Sequence, residues 1–176
     1  MDCPIQQSVV VRILGVDPGL RVTGYGVISC FAKARHAKPE LVEAGIIRTR
    51  ERDGIAKRLV EIYQSLSEVI SELKPQVLVI ERLYAHYGHP ATAILMGHAR
   101  GVVCLLSGIH HVPLASIAST QVKKSVTGQG HAGKLQVQRM VQHVLGLKTS
   151  PSPPDVTDAL AVAITYASQI KPGSKR

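Results

Sequence analysis

Short runs of aliphatic residues, separated by turn residues, open the chain. They cover residues 9–15, 24–30 and 41–49, and an Asp-Pro-Gly turn at 17–19 follows the first run. Aliphatic and β-branched runs bounded by Gly, Pro and Asp are typical of strands. Because the three runs follow one another closely, the sequence predicts a meander of three antiparallel strands.

The apolar pattern then changes its period. From Ile55 to Leu73, aliphatic residues recur every three or four positions with charged residues between them, which predicts an amphipathic helix. Asp53 is the predicted N-cap of this helix. After Pro75, residues 76–80 form an apolar run without alternation. Such a run is typical of a central strand covered on both faces, and it predicts parallel pairing.

The second half of the chain alternates helices with one more strand. Residues 91–107 predict a helix in which Gly97 and Gly101 allow tight packing, and residues 112–117 predict the fifth strand. The remaining segments are predicted helices at 119–126, 134–145 and 155–168, with a Ser/Pro linker at 147–154. This order predicts an α/β fold with a five-stranded mixed sheet and helices on both faces.

The length of 176 residues fits one domain with a sizeable core. We expect an N-terminal extension at 1–10, a single domain at 11–170 and a short basic tail at 171–176. The longest apolar run is far shorter than the roughly 20 residues of a membrane span, and the first residues show no secretory signal. The expected location is therefore the cytoplasm, without a membrane partner.

Charge is distributed unevenly along the sequence. The net charge is +9, and from Arg82 to Pro154 there is no Asp or Glu but there are seven Lys or Arg and seven His. A segment of this kind carries a positive field that attracts polyanions. The alternative is a generic basic surface. Glu81 stands directly before the segment, and Asp155 follows it.

Four acidic residues are the candidates for chemistry. Asp17 follows the first predicted strand, Glu81 ends the fourth, and Asp155 and Asp158 share a face of the last helix because they are three residues apart. If the two strands are neighbours, the acids converge, and they cannot all stay ionised without a cation. Oxygen ligands suit Mg²⁺ or Mn²⁺ and not zinc. Two such ions about 4 Å apart would allow phosphodiester hydrolysis.

Each acid also has a simpler interpretation. Asp17 is an ordinary residue for an Asp-Pro-Gly turn. Asp155 is a possible N-cap, and Asp158 is favoured by the helix dipole. Glu81 is harder to explain in this way, because a carboxylate at the end of a buried strand is costly without a partner.

Four motifs along the chain are LGVDPGLRVTGYGVI at 14–28, VIERLY at 79–84, MGHARGVV at 96–103 and PDVTDALAVAIT at 154–165. Together they resemble the RuvC family of crossover junction endodeoxyribonucleases. The resemblance is colinear from about 11 to 167. It implies an RNase H-like fold and a homodimer that nicks two strands of a four-way (Holliday) DNA junction symmetrically, in recombination and repair. A branch-migration motor complex is an expected further partner.

The resemblance also implies roles for particular residues. The acids that bind the metal ions match Asp17, Glu81, Asp155 and Asp158, with two Mg²⁺ per subunit and Mn²⁺ as a substitute. Tyr84 matches an aromatic residue that stacks on an unpaired base near the junction centre. Lys123 and Lys134 match lysines that approach the DNA backbone at the active site. The sequence departs from the family pattern at 85–90, where histidines stand in place of a stretch that commonly contains Lys and Asn.

Two questions stay open at this point. The helix at 91–107 is poor in charge and is the candidate dimer interface, but an ordinary buried helix would have the same composition. Three other functions fit part of the pattern: an actin-like kinase or ATPase, which requires two such domains, a non-catalytic DNA-binding module, and a nuclease of the same fold acting on RNA or simple duplex.

Overall fold

The computed structural model describes residues 10–31, 38–82 and 90–170, which form a five-stranded sheet with five helices. The strands are β1 (Val10–Asp17), β2 (Val22–Phe31), β3 (Glu40–Arg48), β4 (Val77–Glu81) and β5 (Leu114–Ile117). The helices are α1 (Ile55–Leu73), α2 (Pro90–Ile109), α3 (Ser119–Thr127), α4 (Lys134–Leu145) and α5 (Pro154–Gln169). Within these ranges, no helix has both the length and the apolarity that crossing a bilayer requires.

The sheet order is β3-β2-β1-β4-β5. β1 to β3 pair in antiparallel fashion, whereas β4 runs parallel to both β1 and β5. The predicted meander, the parallel pairing of the fourth strand and the mixed sheet are therefore confirmed. The predicted tail, and the predicted N-terminal extension apart from Val10, lie outside the described residues.

The core has two layers because successive strand residues point to opposite faces. In β1, Ile13 packs on one face among residues of α3, α4 and α5. Its neighbour Leu14 packs on the other face, among residues of α1 and α2. Both side chains are fully buried, and burial of each contributes about 1.5–3 kcal/mol. This explains why β4, which is covered on both faces, has no polar alternation.

Two predicted boundaries are wrong in ways that matter. β1 continues through Asp17, so this acid is the last residue of the strand and not part of the turn after it. The ladder to β2 extends as far, since Asp17 pairs with Gly24. At α1 the N-cap is Gly54, without a side-chain cap, and Asp53 instead lies 3.2 Å from the ammonium of Lys57. The helix begins one residue later than an Asp53 cap requires.

Glycines play opposite parts on the two sides of the sheet. Gly15, Gly24 and Gly26 face α5 so closely that a Cβ on any of them would overlap atoms of that helix. Among the described residues of this chain, a Cβ on Gly97 or Gly101 of α2 would meet nothing within 4 Å. The predicted tight packing at these two glycines is therefore not found within the described part of the chain, where Gly97 is half-buried and Gly101 is exposed.

Candidate active site

The sheet places Asp17 and Glu81 at neighbouring positions. Val16 of β1 is in register with Ile80 of β4, and each strand ends one residue later with its acid. The strands are parallel, so both acids lie at the same edge. Ile13 and Val79 face α5, and the alternation along each strand directs the side chains of Asp17 and Glu81 to that face as well.

Helix α5 brings the other two acids to the same place. Its first turn crosses β2 at Gly24, where the glycine lies against the backbone and Cβ of Asp155. Gly24 is also the cross-strand partner of Asp17. Asp158 follows one turn later on the same face of the helix. Three separate segments of the chain therefore converge, as the sequence predicts for neighbouring strands.

The electrostatics of Asp17 show how close the acids are. Burial is the main cause that raises the pKa of Asp17 from 3.8 to about 7. The negative charges of Asp158, Asp155 and Glu81 act in the same direction, in that order, and Lys134 lowers the pKa. Near neutral pH this carboxyl is therefore only partly ionised without a cation, because burial and like charges both disfavour the anion.

The pKa values of Glu81 and Asp158 are also raised by burial and opposed by nearby positive charge. Burial raises the pKa of Glu81, and the charge of Asp158 adds to this effect, whereas a hydrogen bond from Ser119 and the charge of Lys123 oppose it. Burial also raises the pKa of Asp158, with Asp155 adding to it and Lys134 and Lys123 opposing it. Each acid is thus held in a partly desolvated position.

The charges of both predicted lysines lower the pKa values of acids in the site. Lys134 is the first residue of α4, and its charge lowers the pKa values of Asp17 and Asp158. Lys123 lies on α3, and its charge lowers the pKa values of Glu81 and Asp158. Tyr84, the third predicted DNA-binding residue, lies outside the described residues. The structure therefore gathers four acids and two lysines at one edge of the sheet.

The simpler interpretation of Asp155 as an N-cap is wrong. The N-cap of α5 is Pro153, which provides no side-chain cap, and Asp155 lies inside the first turn. A negative charge is favourable there because the helix N-terminus is positive. The dipole alone, however, does not explain why Asp155 lies against the strand that pairs with Asp17.

Two residues that the sequence analysis did not single out support Glu81. Ser119, at the start of α3, is near enough to the Glu81 carboxylate to lower its pKa. Arg100 of α2 donates to the backbone carbonyl of Glu81 at 2.6 Å. Arg100 lies inside the MGHARGVV motif, so a signal was present, but the motif does not say what the guanidinium contacts.

The donor set fits a hard divalent cation better than zinc. All four groups are carboxylates, which are the ligands of Mg²⁺ or Mn²⁺. Within the described ranges, no three acidic, His or Cys side chains are arranged to hold a metal ion by themselves. Mg²⁺ does not require such a cage, because it commonly binds one or two carboxylates and takes its other ligands from water and phosphate.

The sheet order and the position of α5 place the protein in the RNase H-like class of α/β folds. The chain belongs to the RuvC family: residues 13–166 match the family model described as crossover junction endodeoxyribonuclease RuvC. A RuvC of Rhodopirellula baltica is 46% identical over 154 residues, which cover 86% of this chain and 83% of that protein.

Solved structures agree with this assignment. The Thermus thermophilus RuvC structure has a TM-score of 0.81 at 31% identity and covers 90% of this chain and 94% of that one. T. thermophilus RuvC in complex with Holliday junction substrate gives a TM-score of 0.81 at 30% identity, covering 90% of this chain and 95% of that one. The RNase H-like fold implied by the sequence motifs is confirmed.

Proposed function

We propose that the protein is an endodeoxyribonuclease that resolves four-way DNA junctions by nicking two strands symmetrically. The observation that carries the proposal is the convergence of four acids from β1, β4 and α5 at one edge of the sheet. Membership of the RuvC family and the likeness to a RuvC solved with its junction substrate support it. A binding module alone would gain nothing from clustered negative charge beside phosphate.

The proposed cofactor is Mg²⁺, with two ions per subunit and Mn²⁺ as a substitute. Asp17, Glu81, Asp155 and Asp158 are the proposed ligands. When bound, such ions activate the attacking water and stabilise the leaving oxygen. Lys123 and Lys134 lie beside the acids, and their charges neutralise the phosphate backbone there. Tyr84 is proposed to stack on an unpaired base, which any base allows because each has a flat face.

We also propose a homodimer that forms through the outer side of α2. Ile94, Leu105 and Ile109 are 49–60% exposed. Leu105 and Ile109 lie about three and four helical turns after Ile94, so the three side chains share one side of the helix. Gly97, Gly101 and Gly108 lie on that side too, with open space around them. Two like subunits related by a two-fold axis suit a substrate that requires two like cuts. A branch-migration motor as partner and the cytoplasm as location stay predictions.

The test is incubation with synthetic four-way, three-way and linear DNA, in Mg²⁺ and in EDTA. We expect cleavage of the four-way junction only, and only with Mg²⁺. Asp17→Asn and Glu81→Gln are expected to lower cleavage by about 1,000-fold or more, because each removes a ligand of the reacting centre, while junction binding is retained. Glu68→Gln, an exposed acid on α1, is the matched control.

Other outcomes would point to other functions. Intact junctions that remain tightly bound in Mg²⁺ would favour a non-catalytic binding module. Cleavage of linear duplex or RNA at the same rate would favour a nuclease of broader substrate range. Near wild-type cleavage by Asp17→Asn or Glu81→Gln would remove the proposed metal ligands.

A further inference from the structure

The side chain of Arg100 connects three elements of the fold. From α2, one arm of its guanidinium donates to the carbonyl oxygen of Glu81 at 2.6 Å, and the other arm donates to the hydroxyl of Ser116 on β5 at 2.9 Å. Both acceptors are neutral, and within the described ranges Arg100 has no ion pair. Its planar, two-armed donor geometry, which lysine lacks, is therefore used for position and not for pairing charge.

This contact falls where β4 loses a neighbour. The matched pairs between β1 and β4 stop at Val16 with Ile80, so Glu81 lies one residue beyond the β1 ladder. On the other side, the backbone is still held because the N–H of Arg82 donates to the carbonyl of Ile117 at 2.7 Å. Without a further contact, the end of the strand would be supported from one side only.

Arg100 contacts Glu81 from the face of the sheet that α1 and α2 cover. The next residue on its helix, Gly101, is exposed, and its other neighbour, Ala99, is buried in the layer of α1 and α2. The alternation along β4 directs the Glu81 carboxylate to the opposite layer, on the side of α3 and α5. Arg100 thus holds the backbone of Glu81 from one face of the sheet, while the carboxylate points to the other face.

We infer that Arg100 is a positioning residue for Glu81: it fixes the end of β4 so that the carboxylate stays beside Asp17 and ready for a divalent cation. This inference rests on the proposed role of Glu81 as a metal ligand. Residues that orient metal ligands without touching the ion typically change metal affinity by about 10- to 100-fold when they are replaced. Arg100 acts through Glu81 and does not itself contact the ion.

The test measures binding of Mn²⁺ to the full chain without DNA, by the loss of the free-ion electron paramagnetic resonance signal. Arg100→Gln removes both arms and is expected to weaken Mn²⁺ binding about tenfold. The Mg²⁺ concentration for half-maximal junction cleavage should rise by a similar factor. Arg100→Lys, which retains one donor, should restore part of the loss, and junction binding in EDTA should not change.

Arg12 offers a matched control. Its guanidinium donates to the carbonyl of Leu73 at 2.8 Å, at the opposite end of β1 from Asp17. Arg12→Gln therefore removes an arginine-to-carbonyl contact of the same kind away from the acids, and its Mn²⁺ affinity should equal that of the wild type. Equal losses in Arg12→Gln and Arg100→Gln would overturn the inference, since the effect would then be one of general stability.

Ser116→Ala is the second variant, for use if Arg100→Gln does not fold. It removes one of the two anchors of Arg100 and should weaken Mn²⁺ binding by a smaller factor in the same direction. Unchanged Mn²⁺ binding in this variant, or in a folded Arg100→Gln, would overturn the inference about Arg100. The proposed function would still stand if the wild type cleaves junctions and Glu81→Gln does not. Failure of the wild type to bind Mn²⁺ or to cleave junctions would instead overturn the proposed function.

Discussion

Helices α5 and α2 lie on opposite faces of the sheet, and glycine has a different use at each. Under α5, glycines of β1 and β2 remove the side chains that would separate helix from sheet, so the backbone of α5 lies directly on the strands. On α2, the glycines belong to the helix itself and face open space. The α5 side is closed and carries Asp155 and Asp158, whereas the α2 side leaves large apolar side chains exposed.

The contrast shows that a glycine must be interpreted from the surface that it faces. Gly24 pairs with Asp17 and allows the first turn of α5 to lie against β2. This glycine therefore helps to bring Asp155 close to Asp17. Gly101 lies on the same side of α2 as the exposed Ile94 and Leu105, the side through which we propose that the dimer forms. We therefore expect substitutions on the α5 side to affect cleavage directly, and those on the α2 side to affect association.

Among the substitutions that test this contrast, Gly24→Ala is expected to have the largest effect. The new Cβ would overlap the backbone carbonyl of Asp155, which cannot move aside without the helix, so the two helix acids shift away from Asp17. Cleavage should fall by about 100-fold or more, and unfolding free energy by about 1–3 kcal/mol. Single-turnover cleavage and urea denaturation measure the two quantities.

Gly101→Ala is the matched control for stability. Alanine favours helix over glycine by about 1 kcal/mol, and the methyl group has open space around it, so the unfolding free energy should stay equal or rise slightly. Equal losses of stability in Gly24→Ala and Gly101→Ala would remove the contrast between the two sides of the sheet.

A smaller effect is expected from Leu105→Glu. Leu105 is 55% exposed, so the chain should fold normally, but a charge buried in a dimer interface without a partner is unfavourable. The dimer dissociation constant should rise by about 10- to 100-fold, which sedimentation velocity measures. Val60→Glu, at a residue of α1 that is 51% exposed, is the control, and an equal response of both variants would place the interface elsewhere.

The last prediction concerns how the unfolding free energy depends on pH, and it tests the buried acidic charge on the α5 side. The pKa of Asp17 is raised to about 7, so between about pH 4 and pH 7 the folded chain keeps a proton that the unfolded chain has lost. Unfolding free energy in EDTA should therefore fall as pH rises through this window, by up to about 1.4 kcal/mol per pH unit, and stay level above it.

Asp17→Asn should abolish most of this decline, because an amide has no charge to desolvate. In EDTA at pH 8 the variant should be more stable than the wild type, although it does not cleave. Urea denaturation at pH 4.5, 6 and 8 measures both expectations. A wild type whose stability rises between pH 4.5 and 7 would contradict the burial of Asp17 among like charges.

All ten elements of the fold follow from the periodicity of apolar residues, and the differences lie at their ends. Pro18 and Gly19 predict that Asp17 belongs to a turn, yet pairing with Gly24 keeps it in the strand. Asp53 has the residue type of an N-cap, but the helix begins after Gly54. Such ends depend on which hydrogen bonds the neighbouring elements complete, and local sequence does not record that.

The four acids and two lysines could be proposed from strand ends, helix spacing and family motifs. Arg100 and Ser119 could not, because Arg and Ser on helices are ordinary and only the packed structure shows what they contact. Gly24 and Gly26 carry a further signal: glycines two residues apart in a strand clear one face of the sheet, which lets another backbone approach closely.

The positions of Asp17 and Glu81 at the ends of two adjacent parallel strands set the scale of the site. Neighbouring strands lie about 4.8 Å apart because peptide hydrogen bonds fix that spacing, and paired catalytic ions are separated by about 3.5–4 Å. Under the proposed mechanism, the hydrogen-bonded backbone of the two strands therefore sets the distance between the two ions. The surrounding side chains are then free to diverge in sequence while the spacing that hydrolysis requires stays constant.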